Sequence, residues 1–431
     1  MTPALASRDQ TTNFEKDQRT TVIIPCHNYG RYLSWCIESV LHQTRAAGEI
    51  IVVDDASNDD TEAVARSFGD QIRYFRVNFR NAQKTRNFGF EKATHEYVLY
   101  IDADDFLDND ALYLMEAEMA ANSQLRLVYS DRIHVGDPAL TIQLGPDNHW
   151  RTQDFSLEAL HRTNFISMPS LLRRSTFAGF DERIRLNQDW DAWLGTLQDD
   201  AHAKRIARPL FYYRFHGKNK TVQENEFTER FKIMVKHGLI RTLTEGDEGR
   251  PTLAKRSSRA YIAIHSVSNA GASTLTSALS KLRNCNVEIH LIGSTSDVQS
   301  EAALKQSGLP IKRTPAVSTE AFLRRFLPIA VRYMQHEDIF VIADLTSLPD
   351  LAALSALHQR EDATTYTPEG ADRILQMRAF EELDFLAMNG KALRHLLYIY
   401  DKPNDHLRRL QLKAEEFLAK HVLWRLTTRH Q

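Results

Sequence analysis

The chain has 431 residues, of which 42% are hydrophobic and 26% charged, a balance that excludes a wholly disordered or collagen-like polypeptide. A domain takes roughly 100–200 residues, so two or three are expected. Lys and Arg number 54 against 56 Asp and Glu, a formal net charge of −2; no global field is available to hold a polyanion, and nucleic acid is not expected as a main partner.

Residues 1–18 are polar and read as a mobile tail, and the opening MTPALASRDQ lacks the apolar core of a signal peptide. The strongest apolar stretches, such as Tyr97–Ile101 and Phe326–Val331, fall far short of the ~20 residues that span a bilayer. Cys26, Cys36 and Cys285 form no C-x-x-C pair and supply neither a structural zinc site nor a disulfide framework. A cytoplasmic protein is expected, at most peripheral at the inner face of a membrane.

Thr21–Pro25 is a short β-branched run ending in proline, a buried strand with a stop. Arg31–Gln43 spaces Leu33, Cys36, Ile37, Val40 and Leu41 at helical intervals, and Glu49–Val53 is again an apolar strand run. Strand, helix and strand in this order predict a βαβ unit and an α/β fold with a parallel sheet. A third strand, Tyr97–Ile101, runs straight into Asp102-Ala103-Asp104-Asp105. Ligands of open α/β sheets sit at such carboxyl ends.

A charged stretch with Gly and Pro and no apolar period marks a linker at residues 246–259, which closes a first domain at 19–245. A second α/β domain follows at 260–400, with strands at Tyr261–Val267, Val287–Gly293 and Asp338–Ile342 and a helix at Ser273–Leu282. Tyr261 follows Val22 by 261 − 22 = 239 residues, Ser294 follows Asp55 by 294 − 55 = 239, and His336 follows His95 by 336 − 95 = 241. The second half thus reads either as a degenerate copy of the first or as an unrelated α/β domain with ordinary spacing. If a copy, it has lost its polar residues: Gly293-Ser294 replaces Asp54-Asp55, and Ala343-Asp344-Leu345-Thr346 replaces the acidic cluster. A non-catalytic role is expected for it. Residues 401–431 form a basic amphipathic helix, with Arg408, Arg409, Lys413, Lys420, Arg425 and Arg429 against Glu415 and Glu416. Such a helix can lie on an anionic membrane, pack on its own domain or meet a subunit partner.

Four polar groups occur in an informative order: Pro25-Cys26-His27-Asn28 after the first strand, Asp54–Asn58 after the second, Asp102–Asp105 after the third, and Gln188-Asp189-Trp190-Asp191, with Asp189 189 − 104 = 85 residues past Asp104. One acidic run alone is a helix cap or a turn. In five ordered blocks the chain resembles the family 2 glycosyltransferases, inverting nucleotide-sugar enzymes with the GT-A fold: VIIPCHN, IIVVDDASNDDT, NAQKTRNFGFEKATHEYVLYIDADD with its D-x-D motif, GFDERIRLNQDWDAWL and YYRFHGKN. The resemblance covers roughly residues 20 to 220.

It implies a UDP-sugar donor and Mn²⁺ or Mg²⁺. A departing nucleoside diphosphate gains negative charge that a hard cation on oxygen ligands stabilises. By resemblance Asp104 is the metal ligand, Asp102 meets ribose or metal, Asp105 is a supporting carboxylate that can share the metal, and His216 is a late metal or phosphate ligand. Pro25, His27 and Asn28 fall in the nucleotide loop, His27 against the base, and Asp55 matches the acceptor of the uracil N–H. Lys84 and Arg86 could meet diphosphate oxygens. Asp189 matches the general base that deprotonates the acceptor hydroxyl, although the family more often has Glu-Asp where this chain has Gln188-Asp189. Trp190 and Asp191 are candidate acceptor contacts, and Trp190 and Trp193 serve equally as core.

The acceptor class stays open between cell-surface glycan, as in polysaccharide biosynthesis, lipid-linked sugar and protein, and the C-terminal half could carry homo-oligomer contacts. Two rivals remain, a nucleotide-sugar-binding scaffold without turnover and a nucleotidyltransferase. Other chemistries find less support. Ala272 stands at the lysine position of a P-loop and Ser266 at its first glycine, and there is no G-x-G-x-x-G after the first strand, no H-E-x-x-H and no G-x-S-x-G.

Overall fold

The structure, a computed structural model, describes residues 18–136, 147–216 and 226–243 and, further on, 260–265, 277, 287–292, 302, 306–307, 311–314, 320–321, 323, 339–344, 363–367, 370–383 and 385–396. Residues 1–17 of the expected tail, the linker 246–259, nearly all of the helix Ser273–Leu282 and the helix 401–431 lie outside them. Contacts divide the chain into two units between Glu229 and Arg230.

In the first unit, β1 (Thr20–Cys26), β2 (Glu49–Asp55), β3 (Arg73–Val77) and β4 (Tyr97–Tyr100) form a parallel sheet in the order β3-β2-β1-β4. Val22, Ile23, Ile24, Ile51, Val52 and Val53 are fully buried, as central parallel strands with both faces covered require. On one face, α1 (Gly30–Leu41) buries Leu33, Cys36, Ile37 and Val40. On the other lies α3 (Ala82–Lys92), where a Cβ on Gly89 would come within 2.5 Å of Ile23 Cγ2. Only glycine lets that helix sit so low on the strand.

Beyond β4 the sheet turns antiparallel through β8 (Leu171–Arg173) and β6 (Leu127–Gly136), and β9 (Ala203–Phe215) joins β6 in parallel. The β6–β9 register slips between Ser130 and Arg132, where three residues of β6 face Ile206, Pro209 and Phe211. Such a bulge bends a long strand. The bent β9 then pairs with β5 (Phe106–Leu107), Phe106 facing Tyr212 and Leu107 facing Phe211. Paired numbers sum to 106 + 212 = 318, so the continued register sets Arg214 opposite Asp104. Two segments remote in sequence thereby meet at the carboxyl end of β4. Under the sheet, Arg45 and Glu116 form a buried ion pair, to which Thr20 Oγ1 adds a hydrogen bond of 2.5 Å.

The boundary falls earlier than the sequence reading of a first domain ending at 245. It lies inside the helix α7 (Glu226–Lys236), and β10 (Arg241–Leu243) pairs in parallel with β15 (Thr364–Tyr366) of the second sheet. A three-residue strand is too short to show a period of its own, so residues 230–243 carried no sign of their allegiance.

The second unit is α/β as expected. Its sheet contains β11 (Ala260–His265), β12 (Val287–Ile292), β13 (Ile311–Thr314), β14 (Ile339–Asp344) and β16 (Phe385–Asn389), in the order β10-β15-β16-β14-β11-β12-β13. The run β13-β12-β11-β14 is parallel and β16 follows antiparallel, the order in which β3-β2-β1-β4 meets β8. The registers agree as well. Partners are 49 − 21 = 28 apart across β1–β2 and 287 − 260 = 27 across β11–β12. They are 73 − 51 = 22 apart across β2–β3 and 311 − 289 = 22 across β12–β13. For β1–β4 and β11–β14 the separations are 97 − 20 = 77 and 339 − 260 = 79. The constant sequence offset therefore has a counterpart in strand order and register.

Candidate active site

The loops after β1 and β2 are stitched together by side chains. Asn28 stands at φ 59, a left-handed position that asparagine tolerates better than most residues. Its backbone N–H donates to Ser57 Oγ at 2.9 Å, and its Oδ1 accepts from Asn58 N at 2.8 Å. Asp59 Oδ2 accepts from Gly30 N at 3.0 Å, and a Cβ on Gly30 would lie 2.7 Å from Thr61 N. The two loops approach too closely there for any side chain. His27 Nδ1–H donates to the Asp55 carbonyl at 2.5 Å, which leaves Nε2 to accept from Asn28 Nδ2 at 3.1 Å. A backbone acceptor fixes the neutral imidazole as the Nδ1–H tautomer. Pro25 lies in the ladder beside Val53, one residue before β1 ends.

Asp55 accepts from four donors of the protein itself. Its Oδ1 accepts from Phe79 N (2.7 Å) and Arg80 N (2.8 Å), and its Oδ2 from Asn81 N (3.0 Å) and Thr85 Oγ1 (2.9 Å). Those four donors fill the lone-pair positions of a carboxylate. Burial raises its pKa, but the bonds from Arg80, Thr85, Asn81 and Phe79 outweigh it and hold the carboxyl below its ordinary value. Asp55 thus anchors the 79–81 turn and the start of α3, where Asn81 Oδ1 caps Gln83 N and Lys84 N. Lys84 Nζ lies 3.3 Å from Glu182.

Arg86 projects from α3 toward β4. It is buried and donates from Nη2 to Asp102 Oδ1 at 2.6 Å, while its buried Nε has no protein partner. Asp104 Oδ2 accepts from His216 Nε2 at 2.9 Å. The His216 ring lies between Tyr32, stacked at 5.4 Å, and Tyr29, tilted at 5.5 Å. Burial, then the neighbouring Asp102, raises the Asp104 pKa. Asp105 points the other way: it is 3% exposed, its Oδ1 accepts from Arg214 N at 2.9 Å, and burial raises its carboxyl well above the ordinary range. Arg214 Nε donates to the Asp104 carbonyl at 2.9 Å. Asp105 therefore joins β9 to the acidic turn, while Asp104, His216 and Asp102 offer oxygen and nitrogen donors on the other side. Among the described residues no group of three or more His, Cys, Asp or Glu side chains is placed to hold a metal alone. Carboxylate plus imidazole still suits Mg²⁺ or Mn²⁺ when substrate phosphates supply further oxygens.

Asp189 opens α6 (Gln188–Thr196) after Asn187 at φ 54. Its Oδ1 accepts from Trp190 N at 2.9 Å, and burial raises its pKa against hydrogen bonds from Trp190 and Asn164 and the charge of Arg86. Trp190 and Trp193 are core: they are 1% and 0% exposed and donate to the Leu160 and Ile166 carbonyls at 2.7 and 3.1 Å. Asp191 is also buried. Neither Trp190 nor Asp191 presents the surface expected of an acceptor contact, because the helix turns both inward.

Sequence reasoning missed Arg132. Burial lowers its pKa while the charges of Tyr213, Asp105 and Asp189 raise it, so its charge is felt by both carboxylates. Its Nε donates to His134 Nε2 at 2.9 Å and its Nη1 to Ser167 Oγ at 2.6 Å. A charged pair, Asp131-Arg132, inside a strand run was the available signal. Cys26 and Cys36 are buried and their thiols pushed up by burial, Cys26 to about 12, so neither is poised as a nucleophile.

Residues 21–178 match the family model for Glycosyl transferase family 2. An uncharacterized glycosyltransferase of Rickettsia felis is 30% identical over 193 residues, 41% of this chain and 31% of that protein. A PGL/p-HBAD biosynthesis glycosyltransferase of Mycobacterium tuberculosis is 26% identical over 230 residues, 51% of this chain and 86% of that one. Among solved structures, S. aureus TarS 1-349 in complex with UDP is similar at a TM-score of 0.40 and 18% identity, over 54% of this chain and 67% of that one. The chain spans about a third of the length of its Rickettsia felis relative. Among the described residues no helix is long and apolar enough to cross a membrane.

Proposed function

We propose that this chain, whose residues 21–178 form a family 2 glycosyltransferase domain, moves a sugar from a UDP-sugar to an acceptor hydroxyl with inversion at the anomeric carbon. The observation that carries the reading is the pairing of Asp104 with His216 at the carboxyl end of β4, beside Asp102 and its partner Arg86, whose charge also acts on Asp189. Mn²⁺ or Mg²⁺ would be held by Asp104 and His216, with Asp102 beside them, and when bound it supplies positive charge to the departing diphosphate.

The remaining steps belong to side chains. His27 and Asn28, locked by the loop bonds, shape the base end of the pocket, and Asp55 sets the 79–81 turn beside it. Arg86 fixes Asp102 and keeps an unsatisfied N–H buried near it. Asp189 takes the proton of the attacking hydroxyl; its raised pKa makes it a stronger base than a solvated carboxylate. Arg132, whose charge acts on both Asp105 and Asp189, offsets part of the negative charge that so many carboxylates gather.

Incubation with a panel of UDP-sugars and Mn²⁺, scored for released UDP, tests this reading. Slow hydrolysis of one donor is expected. Release of pyrophosphate instead would assign nucleotidyl transfer, and metal-dependent binding without any product would assign a scaffold.

A further inference from the structure

The groove beside the acidic turn has a composition that the donor site does not use. Trp35, Glu38 and His42 fall on one face of α1 and line, with Phe106, Asn109 and Tyr212, a groove of about 520 Å³. Trp35 is 60% exposed, more than any other large hydrophobic side chain among the described residues. Phe106 and Tyr212 stack at 4.6 Å with planes 10° apart. The Arg214 guanidinium lies 5.1 Å from the Trp35 ring and 5.4 Å from that of Phe106, and Arg214 also bonds to Asp104 and Asp105. The aromatic floor is therefore rigid and continuous with the acidic turn.

Around this floor stand polar groups that the described fold leaves unused: the Glu38 carboxylate, His42 Nε2, the Asn109 amide and the Tyr212 hydroxyl. An apolar partner would strip them of water without replacing its hydrogen bonds. An anion would be repelled by the Glu38 carboxylate at the rim. A pyranose ring has the complementary pattern, a C–H face for aromatic rings and an edge of hydroxyls for carboxylate, imidazole and amide.

We infer that this groove binds a neutral glycan chain. Its role in seating acceptor units beyond the one that reacts rests on the transferase reading above; the binding itself does not. Because Phe106 directly follows the Asp104-Asp105 turn, a chain lying on the floor is led toward the carboxylates.

Full-length protein titrated with maltohexaose, cellohexaose and chitohexaose, followed by saturation-transfer NMR and tryptophan fluorescence, tests the inference. At least one hexasaccharide should bind, and Trp35→Ala and Tyr212→Ala should each weaken it about tenfold, with Trp35→Phe retaining most of the affinity. Glu38→Gln, at an exposed side chain bonded to no described residue, should weaken it without any effect on folding. UDP affinity with Mn²⁺ should not change in Trp35→Ala. Absence of binding for all three sugars at millimolar concentration, or equal affinity in Trp35→Ala and wild type, overturns the site. Conversion of a dimer to a monomer by Trp35→Ala, with glycan affinity intact, would also overturn it and make the face a contact between copies. Glycan binding by a protein that fails to bind UDP would sink the transferase reading and leave this site standing.

Discussion

His216 Nε2 lies 2.9 Å from Asp104 Oδ2 although the two are 112 residues apart in the chain. The contact exists because the bulged β9 pairs with the two-residue β5, so His216, the residue just past the end of the strand, arrives at the turn that follows β4. Tyr29 and Tyr32 hold the ring from α1 and the loop before it. If this pair holds a divalent cation, both members should be needed. Asp104→Asn and His216→Ala should each weaken UDP binding in Mn²⁺ by about 10- to 100-fold and leave binding without metal nearly unchanged. Calorimetric titrations with and without Mn²⁺ check this; an unaltered metal dependence in both variants would remove the assignment.

Asp189 should separate binding from turnover. Asp189→Asn removes the proton acceptor and keeps the cap on Trp190 N through its remaining oxygen, so UDP affinity should hold while transfer falls by about 10²–10⁴. Because burial raises its pKa, the rising limb of kcat against pH in the wild type should lie above the ordinary carboxylate range, with activity lost as Asp189 is protonated on the acid side. Turnover near that of wild type in the variant would exclude it as the base.

Much of this arrangement was legible in the sequence, and the legible part has a common cause. β1, β2, β4 and α1 are dense apolar runs with a clear period, and the polar residues at strand ends follow from them. The offset between the two halves was equally readable, since it needs only landmarks, and strand order and register in the second sheet match it. What could not be read depends on contacts between distant segments. Asp55 has the residue type and place of a base-binding carboxylate, yet whether its lone pairs are open depends on the path of residues 79–81. Asp104 and Asp105 are neighbours of one type, and only the register of β9 turns one toward His216 and the other toward Arg214 N. Arg132 carries no local signal of the carboxylates its charge acts on.

The Asp55 anchor predicts a stability effect. Asp55→Asn keeps one oxygen for Phe79 and Arg80 but turns an amide N–H₂ toward the Asn81 N–H, which leaves buried donors facing each other. A loss of about 1–3 kcal/mol is expected, visible as a lower Tm. The native carboxyl is held below its ordinary value, so its contribution is complete above the unfolded pKa and is lost as pH falls through the folded one. The acid side of the wild-type stability profile should therefore be steeper than that of Asp55→Asn. Parallel profiles would show that the carboxylate charge does not hold the turn.

Arg45 and Glu116 provide a test of the fold away from the site. Their side chains are 4% and 0% exposed, and Glu116 also accepts from Thr20 Oγ1 at the start of β1. Burial raises the Glu116 pKa, and the bonds from Thr20 and Arg45 lower it. Removal of one charge strands the other in a dry interior, whereas removal of both spares the desolvation that the pair requires. Arg45→Met should therefore destabilise by about 3–5 kcal/mol, and the double variant Arg45→Met, Glu116→Leu by clearly less than the sum of the two single changes. Urea unfolding of the four proteins gives the coupling directly. Strict additivity would mean that the two charges stabilise the fold through other partners, Thr20 foremost, and that their mutual contact contributes little.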